Sequence, residues 1–101
     1  MMETLTTKQR SHLRSLAHPL KPLLHIGKEG VTETALRTIK DSFNTRELLK
    51  LKVLESAPEN ARESGELMAE RLEGVRLVQV IGRTVVLYRR HPEKPEIKFP
   101  R

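Results

Sequence analysis

The chain has 101 residues, 37% of them hydrophobic, enough for one modest core, and no cysteine, which excludes disulfides and thiolate metal sites. Its net charge of +6 points to an anionic partner, nucleic acid before membrane, and no apolar run approaches the length of a bilayer span. The start (Met1, Met2, Glu3, Thr4) lacks the basic-then-apolar layout of a signal peptide, and with the missing thiols this fits a cytoplasmic protein.

Thr6 and Gln9 have the spacing of a capping box, so a first helix is expected there. Leu13, Leu16, Ala17 and Leu20 supply its apolar stripe, and His18-Pro19 and Lys21-Pro22 end it, because a residue before proline is pushed out of the helical region. Leu23–Ile26 has the length of a buried strand. Gly27-Lys28-Glu29-Gly30 then turns the chain into a second helix. Thr32 caps that helix, Val31 and Leu36 are placed as a hydrophobic staple, and Ala35, Leu36, Ile39 and Phe43 form its inner side.

Leu48–Leu54 alternates in part between leucine or valine and lysine, and reads as a second strand broken by Ala57-Pro58. Asn60 with Glu63 opens a third helix that buries Ala61, Met68 and Leu72 and stops at Gly74. Gly65 inside it costs about 1 kcal/mol relative to alanine. Arg76–Ile81 and Thr84–Arg89 are strands joined by Gly82-Arg83, a pair suited to a type II′ turn. Beyond His91, Pro92, Pro95 and Pro100 stand among charges, so an extended tail is expected over residues 91–101. The order α-β-α-β-α-β-β predicts a single α/β domain over 1–90. It would hold a mixed four-stranded sheet covered by helices, with two parallel crossovers and a terminal hairpin. The strand order is left open.

Charge is unevenly distributed. Residues 55–75 carry six Glu against two Arg, and the rest of the chain is basic. Glu59, Glu63, Glu66, Glu70 and Glu73 fall three or four apart and make an acidic stripe on the third helix, expected to face away from any bound anion. Arg10, Arg14 and His18 recur at four-residue steps and line one edge of the first helix, where like charges are mildly unfavourable until an anion joins them. The two glycines around Lys28 allow close backbone approach just before a helix N-terminus, a natural seat for phosphate.

Phe43, Tyr88 and Phe99 are the only aromatic rings of Phe, Tyr or Trp, too few for a row of base-stacking platforms. Recognition of phosphates and of nucleic-acid shape is therefore favoured over base readout. No catalytic set can be nominated. The glycine loop lacks the Gly-Lys-Ser/Thr ending of an NTPase loop, and His12, His18, His25 and His91 have no metal-ligand spacing. No metal, cofactor or enzymatic activity is expected.

His18-Pro19-Leu20-Lys21-Pro22, the Gly27–Gly30 loop and Gln79–Arg89, in that order, resemble the CRM (chloroplast RNA splicing and ribosome maturation) domain, and specifically its bacterial single-domain YhbY-like branch. The resemblance runs from about Leu5 to the closing Lys98-Phe99-Pro100-Arg101. It implies an RNA-binding α/β domain; bacterial members associate with precursors of the large ribosomal subunit, and plant relatives assist group II intron splicing. Matched to the family pattern, Gly27, Lys28, Glu29 and Gly30 stand at its G-x-x-G loop, Lys21 at an upstream basic position, and Arg83 and Arg89 at basic positions of the terminal hairpin. Glu29 departs from it, placing a carboxylate where relatives often carry a neutral or small residue.

The leading expectation is a monomeric, non-enzymatic factor that binds structured ribosomal RNA precursor during large-subunit assembly. Lys28 and the Gly27 and Gly30 backbone would capture phosphate, flanked by Arg10, Arg14 and Lys21, with Arg83 and Arg89 extending the surface. The alternative is an adaptor that docks a basic ribosomal or regulatory protein on the acidic third helix.

Overall fold

The computed structural model describes residues 5–99; Met1–Thr4, considered above for a leader, and Pro100 and Arg101 of the tail lie outside the described residues. Three helices and four strands follow the expected order: α1 (Thr7–Ala17), β1 (His25–Ile26), α2 (Glu33–Ser42), β2 (Leu48–Val53), α3 (Ala61–Arg71), β3 (Arg76–Ile81) and β4 (Thr84–Tyr88).

The helix starts are set by side chains. Thr6 Oγ1 accepts the Gln9 amide at 3.0 Å while Gln9 Oε1 accepts the Thr6 amide at 2.9 Å. Asn60 and Glu63 repeat the arrangement at 2.8 and 3.1 Å, and Thr32 Oγ1 accepts from Ala35 at 3.0 Å. Each bond satisfies an amide that the helix itself leaves unpaired.

The strands form one sheet in the order β1-β2-β4-β3, with β1 parallel to β2 and the other neighbours antiparallel. β2 and β3 thus point the same way, with β4 inserted between them. The β3–β4 turn is the two-residue Gly82-Arg83 link, since Ile81 pairs with Thr84. Gly82 has φ +56° and Arg83 is not in the positive-φ region, as type II′ requires. Only His25–Ile26 counts as strand where Leu23–Ile26 was expected, but bonds from Leu23 N–H to Lys50 O (2.7 Å) and from Lys52 N–H to Leu24 O (3.2 Å) carry the pairing further back.

Alternation along the strands sends side chains to two faces. Leu49, Leu51 and Val53 of β2 and Val85 and Leu87 of β4 join Leu36, Ile39 and Phe43 of the α2 segment and Ala61, Met68 and Leu72 of the α3 segment in the larger core. The opposite face carries Leu48, Val78, Val86 and Tyr88, which pack with Leu13 and Ala17 of α1. The apolar stripe expected on α1 is only half used: Leu13 and Ala17 are buried, whereas Leu16 and Leu20 remain 39% and 37% exposed. One short helix on a sheet face presents a narrow contact, which leaves Leu16 at its margin, and Leu20 lies beyond the end of α1.

Gly65 contradicts its reading as a helix weakness. A Cβ there would stand 2.8 Å from Leu77 Cδ1 and 3.1 Å from Val85 Cγ1, so the missing side chain lets α3 lie close on β3 and β4.

Past β4 the chain is extended but not loose. The Glu47 carboxylate, 6% exposed, accepts the His91 amide through Oε2 and the Glu96 and Ile97 amides through Oε1, all at 2.7 Å. His91 Nδ1 accepts the Glu93 and Lys94 amides at 3.1 and 2.9 Å. Ile97 and Phe99 are thereby laid on the α1-side core, with Phe99 meeting Tyr88 and His12 edge-on at 5.8 and 5.9 Å.

Candidate nucleic-acid interface

The glycine loop closes on itself. The Gly30 amide donates to Gly27 O at 2.9 Å, and because Lys28 and Glu29 avoid positive φ, the turn is of type I. Gly30, at φ +74°, is buried, and a Cβ on it would lie 3.0 Å from Pro58 Cγ. This corrects the expected phosphate capture by the Gly30 backbone, because its N–H is already used and the residue lies under Pro58. Lys28 and Glu29 form the exposed tip. Acidic Glu59 also stands beside Gly30, with Oε1 3.3 Å from where a Cβ would be, so the loop is a mixed-charge corner and not the centre of a basic surface.

The denser basic surface lies next to it on the α1 side of the sheet. α1 covers this face only where Leu48, Val78, Val86 and Tyr88 sit. Toward the hairpin end the face is open. His25 pairs with Lys52, Lys52 with Thr84, and Thr84 with Ile81, which sets these four side chains in one transverse row. Strands about 4.8 Å apart make the row about 14 Å long. His25 and Lys52 are exposed, and Ile81 is 61% exposed.

One step along β2, Lys50 lines a hollow of about 380 Å³ with Arg14, His18, Gln79, Ile81 and Thr84, and no carboxylate is among its described lining residues. Lys50 Nζ donates to His18 O at 3.1 Å, where the last carbonyls of α1 favour a cation. Cations gathered without counter-charge on a half-apolar floor repel one another until an anion arrives, and that anion gains from all of them.

The expected residues therefore divide. Arg14 faces this open half, and Lys21 is exposed on the segment that leads from α1 to β1. Arg10 is turned inward: its Nη1 donates to Leu77 O at 2.7 Å and Val78 O at 3.0 Å, at the irregularity where the β3 register shifts between Leu77 and Gln79. Arg83 sits at the hairpin tip in a long, exposed contact with Glu55 at 3.5 Å. Arg89 is at the far end of β4, with Nε 3.6 Å from the position of a Cβ on Gly74, so it does not share a patch with Arg83. His25, Lys50 and Lys52 were not among the residues nominated from sequence. The signal was present in β2, where Leu48, Lys50 and Lys52 share one parity and change from apolar to cationic along the strand.

α3 packs on the other face of the sheet, so Glu66 and Glu70, both exposed, lie on the side away from this row. Among the described residues no group of three His, Cys, Asp or Glu is arranged to hold a metal ion.

The CRS1 / YhbY (CRM) domain model matches residues 5–89. The chain is 38% identical over 96 residues to "Probable RNA-binding protein YqeI" of Bacillus subtilis, covering 95% of this chain and 99% of the relative. It is 37% identical over 100 residues to a Haemophilus influenzae protein named "RNA-binding protein", covering 99% of each. Its structure is similar to the solution structure of the hypothetical protein SAV1595 from Staphylococcus aureus, with a TM-score of 0.79, 41% identity and coverage of 96% of this chain and all of that one. With a capped α-β-α-β-α-β-β domain and a match across nearly its whole length, the chain belongs to the CRM domain family.

Proposed function

We propose that this protein is a non-enzymatic RNA-binding domain that holds structured ribosomal RNA precursor, acting as a monomer in the cytoplasm during assembly of the large ribosomal subunit. RNA as the ligand class is supported by the family and by the names of the relatives. The observation that carries the mode of binding is the open, cationic half of the sheet face. Lys50, Lys52, Arg14 and His25 meet the sugar–phosphate backbone, while Thr84 and Ile81 give a flat floor against which sugars can rest. Lys28 at the loop tip and Lys21 flank it. Phosphate contacts of this kind position a folded RNA and read its shape, with little base selection.

The test is fluorescence anisotropy with a structured precursor-rRNA fragment across a salt series. With about four phosphates neutralised, log affinity falls with log salt at a slope of about −3. Lys52→Glu with Arg14→Glu weakens binding at least tenfold and makes the slope shallower by about one per cation removed. A wild-type slope near zero removes the electrostatic account. If those changes leave sedimentation with ribosomal particles intact while Glu66→Arg with Glu70→Arg abolishes it, the acidic-helix adaptor is the correct alternative.

A further inference from the structure

A second cationic recess lies on the same face of the sheet, at the end opposite the hairpin. Arg76 and Tyr88 are register partners there and so share a face with Thr84, four residues and about 14 Å down β4. The docked segment after β4 folds back over this end and borders a half-open cavity of about 430 Å³, lined by Arg76, Arg90 and Lys98 together with Tyr88 and Phe99. No carboxylate is among its described lining residues. Like the hollow beside Lys50, it is large enough for a phosphate group.

We infer that this cavity is a phosphate-binding site. Arg76 and Arg90 present planar guanidinium forks and Lys98 a mobile point charge, the donor set that suits a phosphate group with several oxygens. Tyr88 is buried and Phe99 half-buried, and the two meet edge-on as one wall of the cavity. The ligand is thus held by charge. One wall is the segment that Glu47 clasps, so binding and docking are linked: a phosphate bridging Arg76 to Arg90 and Lys98 stabilises the docked segment, and undocking the segment opens the site. The ligand source assigned here rests on the RNA reading above: a phosphate of the same RNA that crosses the open half of the sheet reaches around α1 into the recess. A free nucleotide shares the chemistry.

The experiment uses the full chain, labelled with 15N, titrated separately with inorganic phosphate, with adenosine monophosphate, and with a short structured RNA in 5′-phosphorylated and dephosphorylated forms. The variants are Arg90→Gln with Lys98→Gln, both exposed residues, and Lys52→Glu as the control in the other patch. Expected are millimolar phosphate-dependent shifts at the amides of Arg76, Arg90 and Lys98 that Arg90→Gln/Lys98→Gln abolishes and Lys52→Glu retains. RNA affinity in the double variant falls about tenfold and the salt slope becomes shallower by about two. Absence of those shifts with every phosphate ligand, or unchanged RNA affinity in the double variant, overturns the inference while the sheet-face reading stands on its own Lys52 response. Shifts with phosphate and the mononucleotide in a chain that binds no RNA overturn the RNA reading and leave a mononucleotide site.

Discussion

Replacing Glu47 by glutamine tests how the segment after β4 is held. Burial alone would push this carboxyl group up in pKa, but the His91, Ile97 and Glu96 amides bond to its charged form and His91 stands nearby, and together they hold it below its ordinary value of 4.5. A hydrogen bond to a charged group contributes about 1.5–3 kcal/mol, and three amides share the two oxygens. Glutamine keeps one acceptor oxygen and turns an NH₂ toward at least one of the amides. A loss of about 2–4 kcal/mol is therefore expected, a large part of the 5–15 kcal/mol typical of a small domain.

Urea denaturation at neutral pH should show that loss as a lower midpoint. Hydrogen exchange should find the His91, Glu96 and Ile97 amides no longer protected in the variant. The pH dependence has a definite sign. A carboxyl whose folded pKa is depressed binds fewer protons when folded, so its contribution is complete above the unfolded value near 4.5 and is lost as pH falls through the lower folded value. The wild type should lose stability over that interval more steeply than Glu47→Gln. Equal midpoints at neutral pH with protected amides, or parallel curves below pH 5, refute the clasp.

Three further outcomes follow from the packing. Gly30→Ala puts a Cβ at φ +74° and 3.0 Å from Pro58 Cγ, so urea denaturation should register a loss of about 1–3 kcal/mol. Gly65→Val forces branched carbons into the space that Leu77 and Val85 already fill, and should lower thermal stability by about 2–3 kcal/mol despite the helix propensity gained over glycine. Arg10→Ala strips two carbonyls on β3 of their charged donor and should cost about 1.5–3 kcal/mol in denaturant unfolding, while changing the salt slope of RNA binding by less than Arg14→Glu does.

What the sequence disclosed was mostly local. Caps at Thr6, Thr32 and Asn60, the Gly82-Arg83 turn and the inner sides of α2 and α3 depend on residues within a turn or two of one another, and each stands where its spacing put it. The insertion of β4 between β2 and β3 has no local signature, since it is decided by which edges pair after collapse. The clasp was hidden for the same reason. Glu47 reaches partners 44 to 50 residues away, in a stretch whose prolines and charges read only as an extended tail. Gly65 looked like a local cost because the gain, close approach to Leu77 and Val85, lies on another element.

The cationic surface shows most plainly why pattern alone stopped short. Arg10 and Arg14 are the same residue type one helical turn apart, and from spacing they belong to one edge with one task. The sheet beneath α1 separates them. Under the N-terminal half, the β3 irregularity leaves the Leu77 and Val78 carbonyls within reach of Arg10, and its guanidinium is drawn inward to them. Under the C-terminal half, β2 changes from Leu48 to Lys50 and β4 from Val86 to Thr84, so Arg14 lies with Lys50, His18 and the Thr84 hydroxyl around one hollow. A carbonyl pair neutralises part of the first arginine's field, whereas the second adds to that of Lys50 and Lys52. Helix α1 thus stabilises the sheet at one end and leaves, at the other, the cationic surface proposed to meet RNA.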